Sequence, residues 1–462
     1  MLDSIEKRRE KLVAISDAIW EFAEPGFKEH KSSKAIADFL EQEGFKISLG
    51  VADMPTALVA EFGNGKPVVG FLGEYDALPR LSQKRQPVKE PLEEGQAGHG
   101  CGHNLLGVAA VGAAIALKDA IESGEVKGTV RFYGCPAEEL LAGKVFMVRA
   151  GLFDDVDCAL TWHPFYYNSI WAANFLAMNS AKFNFHGRTA HAAYDPYNGK
   201  SALDAVELMN VGTNYLREHI IPDARMHYVI TNGGGEPNIV PAEATVWYYV
   251  RAPKRPQVEE VYNRIVDCAE GAAKMTGTTF DIEFLTGCYN VVSNDVLEAL
   301  LLEKLKEVGA PKYTEEELRF AEELGKTAPE FLEKTRTMFR EQFGENADDK
   351  HICDTIIPVM DKGKPLPGST DVGDVSHVVP TAQLIVTTSP LSVTTHSWQF
   401  AACAGSTIGQ KGMLVAAKTL GLAGIELLKK PELVAKAKEV FEKQIKNNPY
   451  ISPLPPGAKP KA

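Results

Sequence analysis

Residues 98–139 read GHGCGHNLLGVAAVGAAIALKDAIESGEVKGTVRFYGCPAEE. From Leu105 to about Ile121 the helical pattern is apolar on nearly every side, and GTVRFY (128–133) follows as a short β-rich run. A helix that is apolar all round is a buried helix, such as one that crosses over between parallel strands. The stretch therefore predicts an α/β fold with a mostly parallel sheet that helices cover on both faces.

Strands and helices of the same character flank this stretch. Apolar runs of strand length are ALVA (57–60), PVVGFL (67–72), VDCALTW (156–162) and the late run from Ala382 to Thr388. Apolar residues recur at helical spacing in 2–22, 31–43 and about 411–428. Alternation of such strands and helices indicates βαβ units. The beginning and the end of the chain are therefore predicted to belong to one domain.

The middle of the chain has a different pattern. It shows an alternating strand at 181–186, a helix near 201–218, strands near 225–231 and 244–250, a helix at 257–275 and a strand at 280–285. This order, β-α-β-β-α-β, is the split ferredoxin-like unit. We therefore predict a separate α+β domain at 180–289, inserted between the two parts of the α/β domain, 1–179 and 290–462. A charged helical stretch at about 300–350 is interpreted as a solvated insertion.

Composition excludes several classes of protein. The chain has 462 residues, 49 Lys+Arg, 61 Asp+Glu and a net charge of −12, and this acidic balance argues against a nucleic-acid partner. The longest uncharged apolar run, Leu105–Leu117, is shorter than the roughly 20 residues that a membrane-spanning helix needs, so no membrane partner is expected. Seven cysteines and an N-terminus unlike a secretion signal predict reduced thiols and a cytoplasmic location.

Acidic residues and histidines follow four of the predicted strands. They are Glu74 and Asp76 after PVVGFL, Glu138 and Glu139 after GTVRFY, His163 after VDCALTW, and His396 beyond the late strand. In open α/β sheets, ligands bind beyond the carboxyl ends of the strands. Cys101 and His103, just before the buried helix, add a thiol and an imidazole. A Cys-x-His pair alone is as well explained by unrelated core residues, but this combination of residue types predicts a Zn²⁺ or Mn²⁺ site.

Several long motifs resemble the di-metal aminoacylase/carboxypeptidase family, and within it the amidohydrolase branch of the aminobenzoyl-glutamate hydrolases. They include GEYDALP (73–79), GHGCGHNLLG (98–107), GTVRFYGCPAEE (128–139), ALTWHP (159–164), FHGRTAHAA (185–193), HYVITNGGGEPNIVP (227–241) and GSTDVGDVS (368–376). The likeness covers nearly the whole chain. It implies two divalent cations per chain, with Mn²⁺ favoured and Zn²⁺ as the alternative.

The resemblance implies a role for each matching residue. The implied metal ligands are Cys101, His103, Glu139, His163 and His396. Glu138 is the implied general base, which takes a proton from a metal-bound water and returns one to the leaving amine. Asp76 is implied to orient a ligand. Many family members place a metal-binding His where this chain has Glu74, but the amidohydrolase branch often lacks that His and uses the Cys-x-His pair instead. We therefore leave Glu74 out of the ligand set, although it could approach the metals. The plain alternative for Glu138-Glu139 is a solvated start of a helix.

The resemblance implies that the inserted domain is a dimerisation domain and the remainder a catalytic domain, and three residues of the inserted domain complete the implied site. His191 is implied to reach across a dimer interface and stabilise the oxyanion in the partner's site, and the alternative is a loop histidine that is bonded within its own domain. Asn238 and Arg251 match positions that bind substrate oxygen or carboxylate, although a strand-end Arg commonly makes a surface ion pair. The turn-rich segment from Ser369 to Asp374 is expected to line the site, with neither Asp371 nor Asp374 assigned a role, and His99 and His377 are expected to be structural.

These observations together predict a metal-dependent amidohydrolase. The predicted substrate is aminobenzoyl-glutamate, an N-acyl amino acid or a dipeptide-like amide, cleaved by a metal-activated water. A serine hydrolase is disfavoured because the chain has no Gly-x-Ser-x-Gly elbow, and Cys101 lies among ligand-type residues rather than in a cysteine-nucleophile site. The non-enzymatic alternative is a metal-binding or substrate-binding homologue that has lost catalysis. The expected partner is a second copy of the chain, or a related second subunit.

Overall fold

The computed structural model describes residues 2–343, 350–360 and 362–461. Its strands are β1 (Lys46–Leu49), β2 (Leu58–Gly63), β3 (Val68–Glu74), β4 (Thr129–Cys135), β5 (Cys158–Phe165), β6 (Ser169–Ile170), β7 (Asn174–Phe175), β8 (Ala177–His186), β9 (Arg225–Asn232), β10 (Glu243–Ala252), β11 (Thr279–Cys288), β12 (Pro365–Leu366) and β13 (Thr381–Thr387). Its helices are α1 (Leu2–Lys7), α2 (Arg9–Phe22), α3 (His30–Gln42), α4 (His103–Glu122), α5 (Gly143–Arg149), α6 (Ala202–Leu216), α7 (Arg255–Thr276), α8 (Asp295–Val308), α9 (Glu315–Thr327), α10 (Pro329–Phe343), α11 (Val372–Ser376), α12 (Trp398–Ala404), α13 (Thr407–Lys429) and α14 (Pro431–Ile445).

The larger sheet has seven strands in the order β1-β2-β4-β3-β5-β13-β6. The four strands β4, β3, β5 and β13 are parallel, while β1, β2 and β6 pair antiparallel at the margins. Every residue of β3 and β13 is buried, because side chains on both faces of the sheet enter apolar clusters. The prediction of a mostly parallel α/β sheet with covered faces is confirmed.

Helix α4 packs on β3 and on α13 in the main core. Gly107 permits the approach to β3, because a Cβ at this position would lie 2.5 Å from the backbone oxygen of Glu74. Gly112 likewise permits the approach to α13, because a Cβ at this position would lie 3.1 Å from the methyl group of Ala417. Helix α4 is long and apolar enough to cross a membrane by length and composition, but 89% of that window is buried inside the protein. That degree of burial is typical of a core helix.

A second sheet has four antiparallel strands in the order β11-β8-β10-β9. Helices α6 and α7 pack on the face that carries Phe183, Phe185, Val246 and Tyr248. The chain order β8-α6-β9-β10-α7-β11 is the predicted β-α-β-β-α-β order, so the predicted α+β unit is confirmed as a fold. Its exact limits at 180 and 289 stay a prediction.

The charged stretch at about 300–350 is helical, but it is not merely solvated. Leu305 of α8 belongs to the main core, while Leu324 of α9 and Leu332 of α10 are buried in smaller apolar clusters. Apolar residues recur along one side of these charged helices, and that side packs on the catalytic unit. The interpretation as a solvated insertion is therefore wrong for the described part of the stretch; residues 344–349 lie outside the described residues.

The C-terminal segment after α14 is extended, and it contacts both the catalytic unit and the four-stranded sheet. Leu454 is buried, and the hydroxyl group of Tyr450 donates to Asp374 Oδ1 at 2.9 Å. Arg149 of α5 donates to the carbonyl oxygen of Ala458 at 2.6 Å, and Lys461 pairs with Glu283 of β11 at 2.6 Å. The segment therefore ties the catalytic unit to the four-stranded sheet.

Candidate metal centre

Predicted site residues from separate strands meet at one edge of the larger sheet. Strand β3 ends at Glu74, β4 ends shortly before Glu138, and His163 lies near the end of β5. These three strands are parallel neighbours, so their carboxyl ends share an edge. Helix α4 begins at His103 beside this edge, after Gly102 in the left-handed region (φ 80°). The edge therefore collects carboxylates and imidazoles.

The first candidate ligand group consists of Cys101, His103 and His163, whose ligand atoms all lie within 4.8 Å of one another. Cys101 Sγ lies 3.5 Å from His163 Nε2. His163 donates from Nδ1 to the carbonyl oxygen of Pro164 at 2.8 Å, and His103 donates from Nδ1 to Asp76 Oδ1 at 2.8 Å. Both hydrogen bonds leave Nε2 with a lone pair that faces the group, which is how metal-binding histidines are commonly oriented.

The second candidate group consists of Cys101, Glu139 and His396, again within 4.8 Å. Glu139 Oε2 lies 3.4 Å from His396 Nε2, and the Glu139 backbone N–H donates to Asp76 Oδ2 at 2.9 Å. His396 lies in a loop with φ of 61°, and its backbone N–H donates to the carbonyl oxygen of Gly100 at 2.7 Å. Cys101 belongs to both groups, so its sulfur is the ligand atom that the two groups share.

Buried atoms without hydrogen-bond partners test whether cations fit here. Among the described residues, Glu74 Oε2, His103 Nε2 and Glu139 Oε1 are buried and make no hydrogen bond. Unpaired polar atoms in a dry interior are costly, and divalent cations at the two groups would satisfy the last two of them. One thiolate, three imidazoles and one carboxylate form a donor set that suits Zn²⁺ or Mn²⁺. The structure thus brings together all five residues that the resemblance implies as ligands.

Glu138 lies beside these groups without belonging to either of them. It is buried, and its Oε2 is 3.9 Å from His103 Nε2. Burial, together with the nearby charges of Glu74 and Glu139, raises the pKa of Glu138 well above its ordinary value. Burial likewise raises the pKa of Glu139 to about 7. A neighbouring cation acts in the opposite direction on both groups, because it stabilises the ionised form.

The short turn that carries Glu138 and Glu139 is held in an unusual backbone conformation. Ala137 and Leu141, on either side of the 3₁₀ turn Glu138–Leu140, both have positive φ, of 55° and 54°. The Ala137 N–H donates to Glu29 Oε1 at 2.8 Å, and this carboxyl also accepts from the Thr56 hydroxyl group at 2.9 Å. Left-handed backbone at non-glycine residues is strained and persists only where surrounding contacts hold it. Glu29 is one such contact.

Sequence reasoning missed a buried lysine below the site. Lys144 Nζ lies 2.6 Å from Glu74 Oε1 and 2.6 Å from Asp371 Oδ1, and its backbone N–H donates to Asp371 Oδ2 at 2.8 Å. Burial raises the pKa of Asp371 to about 6, even though Lys144 opposes this shift. The available signal was a single lysine inside the apolar run GKVFMV (143–148). The segment that begins at Ser369 thus reaches the site through Asp371, whereas Asp374 accepts from Tyr450.

The predicted residues of the four-stranded sheet divide into two locations. Arg251, near the end of β10, donates from Nη1 to Ser369 Oγ at 3.2 Å, and its buried Nε has no hydrogen-bond partner among the described residues. His191 and Asn238 are exposed and lie beyond the opposite end of β8. Strand β8 covers ten residues, which at about 3.3 Å per residue corresponds to roughly 30 Å. Within one chain, His191 and Asn238 are therefore not part of the cluster.

Two further histidines have structural environments, as expected. His99 and His377 are buried, and each donates from Nε2 to a backbone carbonyl, of Ile19 at 3.0 Å and of Asn290 at 3.1 Å. Burial lowers the pKa of each imidazole to about 4. Neither belongs to a candidate ligand group among the described residues.

An aromatic surface begins at His163 and was not predicted from the sequence. The Trp171 ring meets the His163 ring edge to face, with centroids 5.1 Å apart, and contacts Phe175 at 4.6 Å and Phe165 at 5.4 Å. Tyr166 stacks on Phe165 at 4.3 Å. Trp171, Phe165 and Tyr166 are only half-buried. An apolar, aromatic wall therefore lies next to a candidate metal ligand.

Comparisons with known proteins agree with these observations. Residues 70–398 match the model of peptidase family M20/M25/M40. The chain is 41% identical to a subunit of the p-aminobenzoyl-glutamate hydrolase of Escherichia coli (strain K12), over 99% of this chain and 97% of the relative. It is 30% identical to the Xaa-Arg dipeptidase of Mus musculus, over 97% and 93% of the two chains. The fold is similar to that of a dinuclear metal-binding peptidase of Bacillus subtilis, with a TM-score of 0.58 and 18% identity over 92% of this chain and 99% of that chain.

Proposed function

This chain belongs to peptidase family M20/M25/M40, and we propose that it hydrolyses the amide bond between an aromatic acyl group and glutamate, as in aminobenzoyl-glutamate. The observation that carries the proposal is the pair of ligand groups that share Cys101, with the buried carboxyl group of Glu138 beside them. Family membership confirms the predicted enzyme class, a metal-dependent hydrolase of amide bonds. The residue roles, the substrate and the assembly below are proposals.

Cys101, His103 and His163 would hold one cation, and Cys101, Glu139 and His396 the other. Two divalent cations held there would lower the pKa of a water molecule and polarise the amide carbonyl. Glu138, whose Oε2 lies 3.9 Å from His103 Nε2, would accept a proton from water and deliver it to the leaving nitrogen. Asp76 orients the site from below, because its two oxygens accept from the His103 imidazole and the Glu139 backbone.

His191 is proposed to donate a hydrogen bond to the developing oxyanion. Its Nδ1 accepts from the backbone N–H groups of Ala193 and Tyr194 at 3.2 and 3.1 Å, so the proton of the neutral ring lies on Nε2. That nitrogen is therefore a donor. Because the length of β8 separates His191 from the cluster of its own chain, we place it in the site of a second chain.

The surface around β9 supports assembly through the four-stranded sheet. Strand β9 is an edge strand, and apart from Met226 its side chains are exposed, with Val229 54% accessible. Helix α6 continues this surface with Leu208, Val211 and Tyr215, the last 76% accessible. The unpaired backbone groups of an edge strand with exposed apolar side chains can pair with a strand of another chain. We propose a homodimer that joins two such edges; pairing with a related but different chain is the alternative, since the Escherichia coli relative is one subunit of its hydrolase.

The substrate assignment rests on two features of the site. The aromatic surface at Trp171 adjoins His163, where it can stack on the ring of an aromatic acyl group. Arg251, with its unpaired Nε, can bind a substrate carboxylate in a bidentate manner, and Asn238 of the partner chain would add an amide contact. Mn²⁺ is the favoured metal and Zn²⁺ the alternative. All seven cysteines are free, which supports a cytoplasmic location.

Metal analysis with matched assays tests the proposal. Purified protein should contain close to two metal ions per chain by mass spectrometry, and chelation should abolish hydrolysis until Mn²⁺ or Zn²⁺ is restored. Aminobenzoyl-glutamate, acetyl-glutamate and a dipeptide ending in arginine should be compared by kcat/KM, with aminobenzoyl-glutamate expected to be hydrolysed best. Glu138→Gln should retain its metals and lose activity by about 10²–10⁴-fold. Metal-free protein that hydrolyses amides would overturn the mechanism, while metal-loaded protein that is inert on all three would support a binding homologue.

A further inference from the structure

Lys144 is a fully buried cation in the layer below the candidate metal centre. Its ammonium group and the carboxylates of Glu74 and Asp371 all have side chains that are at most 3% accessible. The three-membered cluster satisfies Glu74 Oε1 and both oxygens of Asp371, but it leaves Glu74 Oε2 without a partner. That free oxygen lies 3.3 Å from His103 Nε2. The cluster therefore reaches one of the proposed metal ligands, His103, through Glu74.

Glu74 also belongs to a third group of ligand atoms. Glu74, His103 and Glu138 place one ligand atom each within 4.8 Å of one another, and all three are buried. A divalent cation in this group would use His103 Nε2, the one free nitrogen of that ring, and would leave the cation of the first group with Cys101 and His163. It would also occupy the carboxylate of Glu138, which then could not accept a proton from water. Occupation of the third group is thus incompatible with the proposed reaction.

We propose that Lys144 is a positioning residue that serves as a built-in cation: it neutralises Glu74 and Asp371 and so excludes a divalent cation from the Glu74–His103–Glu138 group. The inference rests on the proposed function, since it concerns where metals bind in the same site. An ammonium group supplies a fixed positive charge and donors to both carboxylates. A metal ion at Glu74 would meet the like charge of Lys144 in a buried environment, where such repulsion is strong.

The test replaces Lys144 with methionine, which has a similar length and no charge. Metal-free wild type and K144M are dialysed against Mn²⁺ at increasing concentration, and bound metal per chain is measured by mass spectrometry. We expect wild type to saturate at two ions and K144M to gain about one more, because two buried carboxylates lose their counter-charge. We also expect Mn²⁺ to inhibit K144M at concentrations that leave wild type fully active. The double variant K144M/E74Q removes the carboxylate as well, and it should return to two ions.

Two results would overturn the inference. One is a folded K144M that binds two ions and shows no inhibition at any Mn²⁺ concentration tested. The other is a third ion that persists in K144M/E74Q. If K144M does not fold, K144M/D371L removes one buried acid together with the lysine, leaves Glu74 unpaired, and should still gain the third ion. Wild type that fails to bind two ions would instead refute the proposed function, so the two failures are distinguishable.

Discussion

Two inactive variants should restore activity when their chains are mixed, because we place Glu138 and His191 of each site on different chains. Glu138→Gln removes the proposed proton acceptor, and we expect it to lower kcat by about 10²–10⁴-fold. His191→Ala removes the proposed oxyanion donor, and we expect a loss of about 10²–10³-fold. Neither change touches the five proposed ligands, so both variants should retain their metals.

The structure explains why the two residues cannot meet within one chain. Strand β8 begins at Ala177 beside the catalytic sheet and ends at His186, roughly 30 Å away at about 3.3 Å per residue. His191 follows the far end of this strand and bridges to Ile239 there. Strand β8 is extended over this length, because it pairs antiparallel with β10 throughout and with β11 across one register irregularity. We therefore place His191 in the site of another chain, as proposed above.

The expected recovery follows from counting sites in a symmetric dimer. Equimolar mixing with free exchange makes about half of the dimers mixed, and one of the two sites in a mixed dimer contains both Glu138 and His191. The mixture should therefore reach about one quarter of wild-type activity per chain. The exchange of chains is followed by native mass spectrometry with one variant tagged, and hydrolysis of aminobenzoyl-glutamate is measured on the same samples.

A second mixture provides the matched control. Cys101→Ser and Glu138→Gln alter the same side of the site, so every site of their mixed dimer carries one defect and no activity should return. The reasoning is refuted if Glu138→Gln mixed with His191→Ala stays inactive while mass spectrometry shows mixed dimers. It is equally refuted if the control mixture recovers.

Three further changes test other parts of the proposal. Trp171→Leu should lower kcat/KM roughly tenfold for aminobenzoyl-glutamate but little for acetyl-glutamate, because only the aromatic acyl group can stack on this ring; equal losses on both substrates would remove the aromatic surface from the substrate assignment. Val229→Asp places a charge at the centre of the β9 edge, and it should convert the proposed dimer to a monomer in sedimentation velocity and abolish activity. A variant that stays dimeric would show that the interface does not include this edge. Burial raises the pKa of Glu29 to about 8. The free energy of unfolding of the wild type should therefore fall as the pH rises from roughly 4.5 towards 8, because Glu29 loses its proton at a lower pH in the unfolded state than in the folded state. Glu29→Gln should remove that loss, on the order of a few kcal/mol, in denaturant unfolding at pH 5 and pH 8.5 under the same buffer and metal conditions; a variant with the same pH dependence as wild type would contradict it.

The candidate ligands could be predicted because they obey a rule that is local in sequence. Each follows a recognisable strand or precedes a recognisable helix, and parallel strands deliver their carboxyl ends to one edge. Lys144 obeys no such rule. Its partner Asp371 is 227 residues away in the chain, and the run that contains Lys144 looks like an ordinary helix start. Burial of a lone charge depends on long-range packing, which the local pattern does not contain.

The fold shows the same division. Long strands and helices with clear periodicity, such as β3, α4 and the elements of the four-stranded sheet, lie close to their predicted positions. The two-residue strands β6, β7 and β12 were not predicted, because they exist only through pairing with distant segments. The sequence predicts helices in the charged stretch at 300–350. Its high content of charged residues does not reveal the buried side that carries Leu324 and Leu332. Charge averaged over a segment does not report how that charge is distributed around a helix.

The Glu74–Lys144–Asp371 cluster gives a physical reason why the residue at position 74 depends on the residues at positions 144 and 371. A metal-binding histidine, which the family resemblance implies for many members at this position, is neutral when it binds a metal and needs no counter-charge. A glutamate at the same buried position brings a negative charge that must be paired. Lys144 supplies that pairing at 2.6 Å, and Asp371 balances the ammonium group in turn. The three residues are therefore interdependent, since a histidine introduced at 74 alone would leave Lys144 with one carboxylate and set its positive charge against an added cation.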